Sequence, residues 1–155
     1  IEALEDEGPL PPADELLKLT GNAASGEVVF KRTCIQCHKV DGAGTDFGPD
    51  LSHIAKERTP AELLQSILQP GAIIDKAYQG EMVITADGRI LSGFVIAENE
   101  DGITIRIANN QVDQVAAEDV EERQLLKTSF MPTGLERTMK QQELVDLLMY
   151  LQERK

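Results

Sequence analysis

The sequence predicts a mostly α-helical fold of four to five helices, into which a small antiparallel β-sheet is inserted. Three observations carry that expectation. Leu144, Leu147, Leu148 and Leu151 fall at i, i+3, i+4 and i+7 within residues 139–153, the apolar stripe of a helix facing a core. Thr59-Pro60-Ala61-Glu62 combines a capping box with proline at the first helical position. Between these segments the apolar period changes from 3.6 to 2: Ile103, Ile105 and Ile107 alternate with Thr104 and Arg106, as in a half-buried strand.

The elements follow in order. Residues 1–12 carry Glu2, Glu5, Asp6 and Glu7, then Gly8, Pro9, Pro11 and Pro12, the composition of a solvated linker. Leu16, Leu17 and Leu19 suggest a short helix within 13–20, and residues 1–19 together read as an N-terminal extension. A helix is expected from Ser25 to about Cys34. The stretch Asp41-Gly42-Ala43-Gly44-Thr45-Asp46-Phe47-Gly48-Pro49 is too rich in glycine for regular structure and reads as a loop. The helix starting at Thr59 has Leu63, Leu64, Ile67 and Leu68 as its apolar face and stops at Pro70-Gly71. Residues 78–85 and 89–97 flank the hairpin dipeptide Asp87-Gly88, and Asp101-Gly102 and Asn109-Asn110 punctuate the turns that follow. Residues 77–122 therefore read as an inserted antiparallel meander of four or five strands. They separate a first helical part, 20–76, from a second, 123–155.

The chain of 155 residues is long enough to bury about two-thirds of its unfolded surface. A net charge of −12 argues against nucleic acid and anionic lipid as partners. Its ordinary consequence is solubility; its sharper one is steering toward a basic patch on a partner protein. No stretch approaches the ~20 apolar residues that a membrane helix needs. The chain begins at Ile1 with no apolar leader, as expected of a mature or excised piece of a longer precursor.

The chemistry concentrates in Cys34-Ile35-Gln36-Cys37-His38, the CxxCH signature of covalent haem c attachment. On a helical turn, positions i, i+3 and i+4 share one face, with side chains about 5–6 Å apart. Both thiols can then reach the two vinyl groups along one porphyrin edge while His38 turns a ring nitrogen to the iron. Cys34 and Cys37 are the only cysteines in the chain. A ligating imidazole is usually oriented through its other ring nitrogen. Gly48-Pro49-Asp50-Leu51 is spaced to fold back beneath His38, with the Pro49 carbonyl as acceptor and Leu51 packing on the porphyrin face.

A second axial ligand could come from His53, Met82, Met131, Met139 or Met149. Met131 is the strongest candidate, because Pro132 holds the preceding residue extended and stiffens the loop. Met139 and Met149 lie on the terminal helix and Met82 in a strand, where methionine usually fills core gaps; His53 reads as a surface histidine. Arg58, Lys76 and Tyr78 are candidate partners for haem propionates, with nothing in their spacing to choose among them. Gly26 and Phe30, four apart, could meet Tyr150 and Leu151 where the first long helix crosses the last.

These residues resemble class I cytochrome c: Gly26-x-x-x-Phe30, Cys34-x-x-Cys37-His38, Gly48-Pro49-x-Leu51, Met131-Pro132 and Tyr150-Leu151. The β-rich stretch before the methionine looks more specifically like the planctomycete-type haem-binding domain, over about residues 20–153. That resemblance implies one covalent haem c ligated by His38 and Met131, with Cys34, Cys37, Pro49 and Leu51 also binding the cofactor. It implies one-electron transfer rather than catalysis, in a domain of a larger exported redox protein. A dehydrogenase donor and a cytochrome or oxidase acceptor would be its partners, and haem c attachment would place it in the periplasm. The competing reading is a gas- or peroxide-binding haem domain with a displaceable distal ligand. A dithiol oxidoreductase or zinc site on Cys34 and Cys37 lacks the expected βαβ context or a second ligand pair.

Overall fold

The computed structural model describes residues 8–155. The chain divides into two compact units, one comprising the chain up to Ala72 together with Pro132–Lys155, the other Ile73–Met131. The linker composition noted over 1–12 falls largely on residues outside those described.

The first unit contains helices α1 (Ala13–Leu16), α2 (Ala23–Thr33), α3 (Ile54–Glu57), α4 (Pro60–Leu68) and α5 (Gln141–Gln152), with a small hairpin of β1 (Lys39–Val40) and β2 (Ala43–Gly44). α2 starts where the Asn22 side chain accepts the Ser25 N–H at 2.9 Å, and Lys31 and Arg32 occupy its last turn, where the helix dipole favours cations. It crosses α5 closely. A Cβ on Gly26 would overlap the Asp146 carbonyl oxygen and stand 2.8 Å from the Tyr150 Cβ, so no larger residue fits there. One turn along, the Phe30 and Tyr150 rings meet with centroids 5.5 Å apart. Buried Asp146 accepts the Asn22 N–H at 2.8 Å and the Gln142 amide at 2.9 Å, tying the start of α2 to the middle of α5.

The leucine stripe of α5 is buried at Leu144, Leu147, Leu148 and Leu151, as its period requires. In α4 both halves of the capping box form: the Thr59 hydroxyl accepts the Glu62 N–H, and the Glu62 carboxylate accepts the Thr59 N–H. Leu63, Leu64 and Ile67 are buried beneath it. The short helix read within residues 13–20 of the N-terminal extension joins the core rather than standing off it. α1 packs against α4 and its Leu16 is 1% exposed, because one leucine on a single helical turn suffices to join a core.

The second unit is a five-stranded antiparallel sheet: β3 (Glu81–Thr85), β4 (Ile90–Asn99), β5 (Gly102–Ile107), β6 (Val112–Ala116) and β7 (Val120–Leu125). Its spatial order is β6-β5-β4-β3-β7. Only the first four strands run as the expected meander; β7 returns to the free edge of β3, pairing Val83 with Arg123. The boundary read at 122/123 therefore cuts through β7. The strand Val120-Glu121-Glu122-Arg123-Gln124-Leu125 is charged as edge strands commonly are, and so shows no apolar alternation. Val83, Leu91, Ile103, Ile105 and Val115 form the core of one face, with Val95, Ile107 and Val120 against it. Arg123 spans the rim of that face, donating to Glu81 and to Glu98. Among the described residues about as many lie in strands as in α-helices, so the fold they form is not mostly α; ten-residue β4 and edge strand β7 contribute much of the strand.

The crossing at Gly26 yields a direct expectation. Gly26→Val should lower unfolding free energy by at least about 1–3 kcal/mol through overpacking. Gly71→Ala, whose added methyl meets nothing within 4 Å, should change it by less than about 0.5 kcal/mol. Urea unfolding followed by circular dichroism measures both.

Candidate functional site

The CxxCH segment continues α2 by one turn. Cys34 caps the helix, its N–H donating to the Phe30 carbonyl at 2.8 Å, and its own carbonyl accepts from Cys37 at 3.2 Å and His38 at 3.0 Å. That turn carries Cys34, Cys37 and His38 at i, i+3 and i+4. Cys34 and His38 are half-buried, Cys37 is exposed, and the two thiols are not joined to one another.

The glycine-rich stretch that follows is more regular than its composition implies. β1 and β2 pair around Asp41 (φ 51°) and Gly42 (φ 82°), and two successive positive φ angles are what a tight two-residue hairpin needs. Glycine here supplies turn geometry and does not abolish structure. The hairpin sends the chain back along the CxxCH turn: Thr45 N–H bonds the Ile35 carbonyl at 3.2 Å, and Gly48 N–H that of Cys37. Leu51 N–H reaches the Lys39 carbonyl at 2.8 Å. Ser52 Oγ accepts the Asp41 N–H at 2.7 Å and donates to Asp50, pinning the returning loop to the hairpin.

Within this frame His38 Nδ1 lies 2.7 Å from the Pro49 carbonyl oxygen. A carbonyl only accepts, so Nδ1 carries the proton and Nε2 keeps its lone pair free for a metal. Burial, partly opposed by the Pro49 hydrogen bond, pushes the His38 pKa below its ordinary value, which favours the neutral ring at pH 7. Gly48 makes the approach possible. A Cβ there would stand 2.8 Å from His38 Cε1 and 3.0 Å from Nδ1. Burial, with Cys37 adding to it, pushes the Cys34 thiol up to about 11. A redox-active CxxC needs a thiol tuned the opposite way, so this site does not suit dithiol exchange.

The donor set also discriminates among metals. Among the described residues, no three His, Cys, Asp or Glu side chains converge on one point. One free imidazole nitrogen beside two thiols on a turn cannot complete a zinc site. It does fit haem, which brings four equatorial nitrogens of its own and needs from the protein an edge attachment and axial donors.

The other sequence-derived residues are placed as follows. Pro49 and Leu51 are half-buried on the returning loop, Pro49 beside the ring and Leu51 bonded by its backbone to β1. Met131 is half-buried, its N–H donating to Ser129 Oγ at 3.1 Å, and it ends the second unit while the other site residues belong to the first. His53 is exposed at the start of α3, its ring 2.9 Å from the Lys155 carbonyl. Met139 is buried, Met149 lies beside Gly21, and Met82 sits in β3. Arg58 approaches Glu62 at 4.0 Å, and Tyr78 stacks edge-on against Phe94. Sequence reasoning missed the role of Gly48; a glycine directly before the acceptor proline was its only signal.

Two substitutions separate the contributions of this loop. Gly48→Ala should destabilise the protein by about 1–3 kcal/mol by forcing the imidazole away. Pro49→Ala keeps the accepting carbonyl and should cost about 0.4–1 kcal/mol through unfolded-state entropy alone. Denaturant unfolding of both variants, compared with the parent, gives the answer.

A family model for cytochrome c matches residues 23–101, from the first residue of α2 to the turn between β4 and β5. The matched span contains Cys34, Cys37, His38, Pro49 and Leu51 and ends before Met131. Cytochrome c of Nigella damascena is 53% identical over 32 residues, 20% of this chain and 29% of that protein. Cytochrome c of Gossypium barbadense is 54% identical over 33 residues, 21% of this chain and 30% of that protein. The chain thus spans less than a third of the length of these curated relatives. With just over half of its length matched by the family model, and the CxxCH turn and its folded-back loop inside that match, the chain belongs to the cytochrome c family.

Proposed function

We propose that this chain carries single electrons on one haem c, attached through Cys34 and Cys37 and ligated by His38 and Met131. The observation that carries the reading is the 2.7 Å bond from His38 Nδ1–H to the Pro49 carbonyl, on the same turn that bears both cysteines. A bound haem c supplies an iron that alternates between the ferrous and ferric states. The protein's task is then to hold that iron's surroundings constant while the charge changes. His38 is held by a backbone acceptor, itself fixed between Gly48 and Leu51, so its Nε2 needs no reorientation between states. Met131 is a neutral, soft donor, and a nitrogen–sulfur pair favours a relatively high potential and leaves no open coordination position. Pro132 restricts the backbone beside it.

The wider setting follows from the resemblance to the planctomycete-type domain and from where haem c is attached. On this reading the chain works in the periplasm as part of a larger exported redox protein, taking electrons from a dehydrogenase and passing them to a cytochrome or oxidase. The net charge of −12 suits steering toward a basic partner surface. No helix among the described residues is long and apolar enough to cross a membrane.

The reduced pyridine haemochrome spectrum of protein made in a host that matures c-type cytochromes should show haem joined by two thioethers. Cys34→Ala and Cys37→Ala should each weaken attachment, with haem lost on denaturing gels. Met131→Ala should retain covalent haem, lose the long-wavelength sulfur-to-iron band, lower the potential and admit cyanide. Rapid cyanide or carbon monoxide binding by the untreated protein would instead favour the gas- or peroxide-binding reading.

A further inference from the structure

We propose that Tyr78, Phe94 and Phe130 form an aromatic clamp by which the β-sheet unit positions Met131 and limits its release from iron. The inference rests on Met131 as axial ligand, and it assigns the sheet a role in controlling that ligand.

Strand parity supplies the first argument. In β4, Leu91 pairs with Val83 and Val95 with Ile105, so these residues share the core face of the sheet. Successive side chains alternate between faces, so Phe94 points to the opposite face. Its neighbours there on the same strand, Ser92 and Ile96, are exposed, yet Phe94 is 6% exposed. The sheet's own core therefore does not explain its burial.

Phe94 is instead the centre of an aromatic row. Phe130 meets it with centroids 5.0 Å apart at 73°, and Tyr78 meets it at 5.6 Å and 83°. Both are the edge-to-face geometry that aromatic quadrupoles favour. Gly80 completes the seat. A Cβ there would collide with the edge of the Phe130 ring and stand 3.1 Å from Leu126 Cδ1, so the ring lies directly over bare backbone. The Leu126 N–H closes the base of the loop on the Gly80 carbonyl at 2.8 Å.

Residues 126–131 have no regular secondary structure, yet they are held at both ends. Leu126 is anchored by a backbone bond, and Phe130, one residue before Met131, by the Phe94 ring that Tyr78 backs from its other side and by its seat over Gly80. Outward movement of Met131 must carry Phe130 with it or strain the peptide between them. The clamp therefore raises the free energy of the methionine-released state, which exogenous ligands need before they can bind ferric iron. Losing both the ring contact and the burial of Phe130 corresponds to about ten-fold easier release. These three are positioning residues; none needs to touch iron.

The test uses the ferric holoprotein and measures the rate of imidazole binding, the sulfur-to-iron band and the potential. Phe130→Ala should bind imidazole about ten-fold faster, with a weakened band and a lower potential, and Phe130→Leu should fall between it and the parent. Gly80→Ala keeps all three rings but displaces Phe130, and should shift the same readouts in the same direction. It also serves if the Phe130 variants fail to fold, which circular dichroism reports. Val112→Ala, at an exposed strand position, should leave all three readouts unchanged. Met131→Ala separates the two ideas. If it leaves the band and binding rate unchanged, Met131 is not the ligand and the inference falls with that reading. If it alters both while folded Phe130→Ala and Gly80→Ala match the parent, the ligand stands and the clamp is overturned.

Discussion

The close crossing of α2 and α5 at Gly26 is the constraint on which the rest of the first unit depends. With no side chain between them, the Asp146 carbonyl of α5 approaches the α2 backbone, and Phe30 lands on Tyr150 one turn later. This fixes α2 in position and rotation. The turn carrying Cys34, Cys37 and His38 is the direct continuation of α2, so its placement is inherited from a contact two turns earlier. α5 reinforces the arrangement through Asp146 at the start of α2 and through an ion pair from Glu143 to Arg32 at its end. Its C-terminal end does the same for the loop side: Arg154 lies over the Tyr150 ring and reaches Asp41, and its carbonyl accepts the Ala55 N–H.

His38 is the beneficiary of that rigidity. Its ring is oriented by a main-chain carbonyl, and that carbonyl is positioned by further main-chain bonds from Gly48, Thr45 and Leu51. A carbonyl cannot ionise or change rotamer, so in the neutral ring the proton stays on Nδ1. Burial disfavours the charged ring, an effect that the Pro49 hydrogen bond partly opposes. The cost is steric: the loop can pass this close only if Gly48 has no side chain.

The sheet unit is organised on a different principle. One face buries Val83, Leu91, Ile103, Ile105 and Val115 and stabilises the unit, while the other carries Phe94 as its point of attachment for the 126–131 loop. Its outer strand β7 is charged, and Arg123 there is held by Glu81 and Glu98, which raise the affinity of its guanidinium for its proton. A charged outer strand closes the edge of β3 without presenting a flat apolar edge of its own to other chains.

The helices α4 and α5, the hairpin at Asp87-Gly88 and the CxxCH turn were legible in the chain because each is set by neighbours within about four residues: capping pairs, a 3.6 period, a turn dipeptide, an i, i+3, i+4 spacing. What misled were segments whose structure is imposed from a distance. Leu16 lies on a helix of a single turn and is recruited by α4; β7 has no apolar alternation and forms because β3 offers an unpaired edge; the hairpin at Lys39–Gly44 hides inside a glycine-rich run. The sequence alone determined that two thiols and an imidazole would share one helical face, since that follows from local helical geometry. Only the tertiary structure decided which carbonyl orients the imidazole, why Gly48 must precede it and which ring seats Phe130. Those facts depend on the distances between backbones brought together by packing, and no local pattern encodes them.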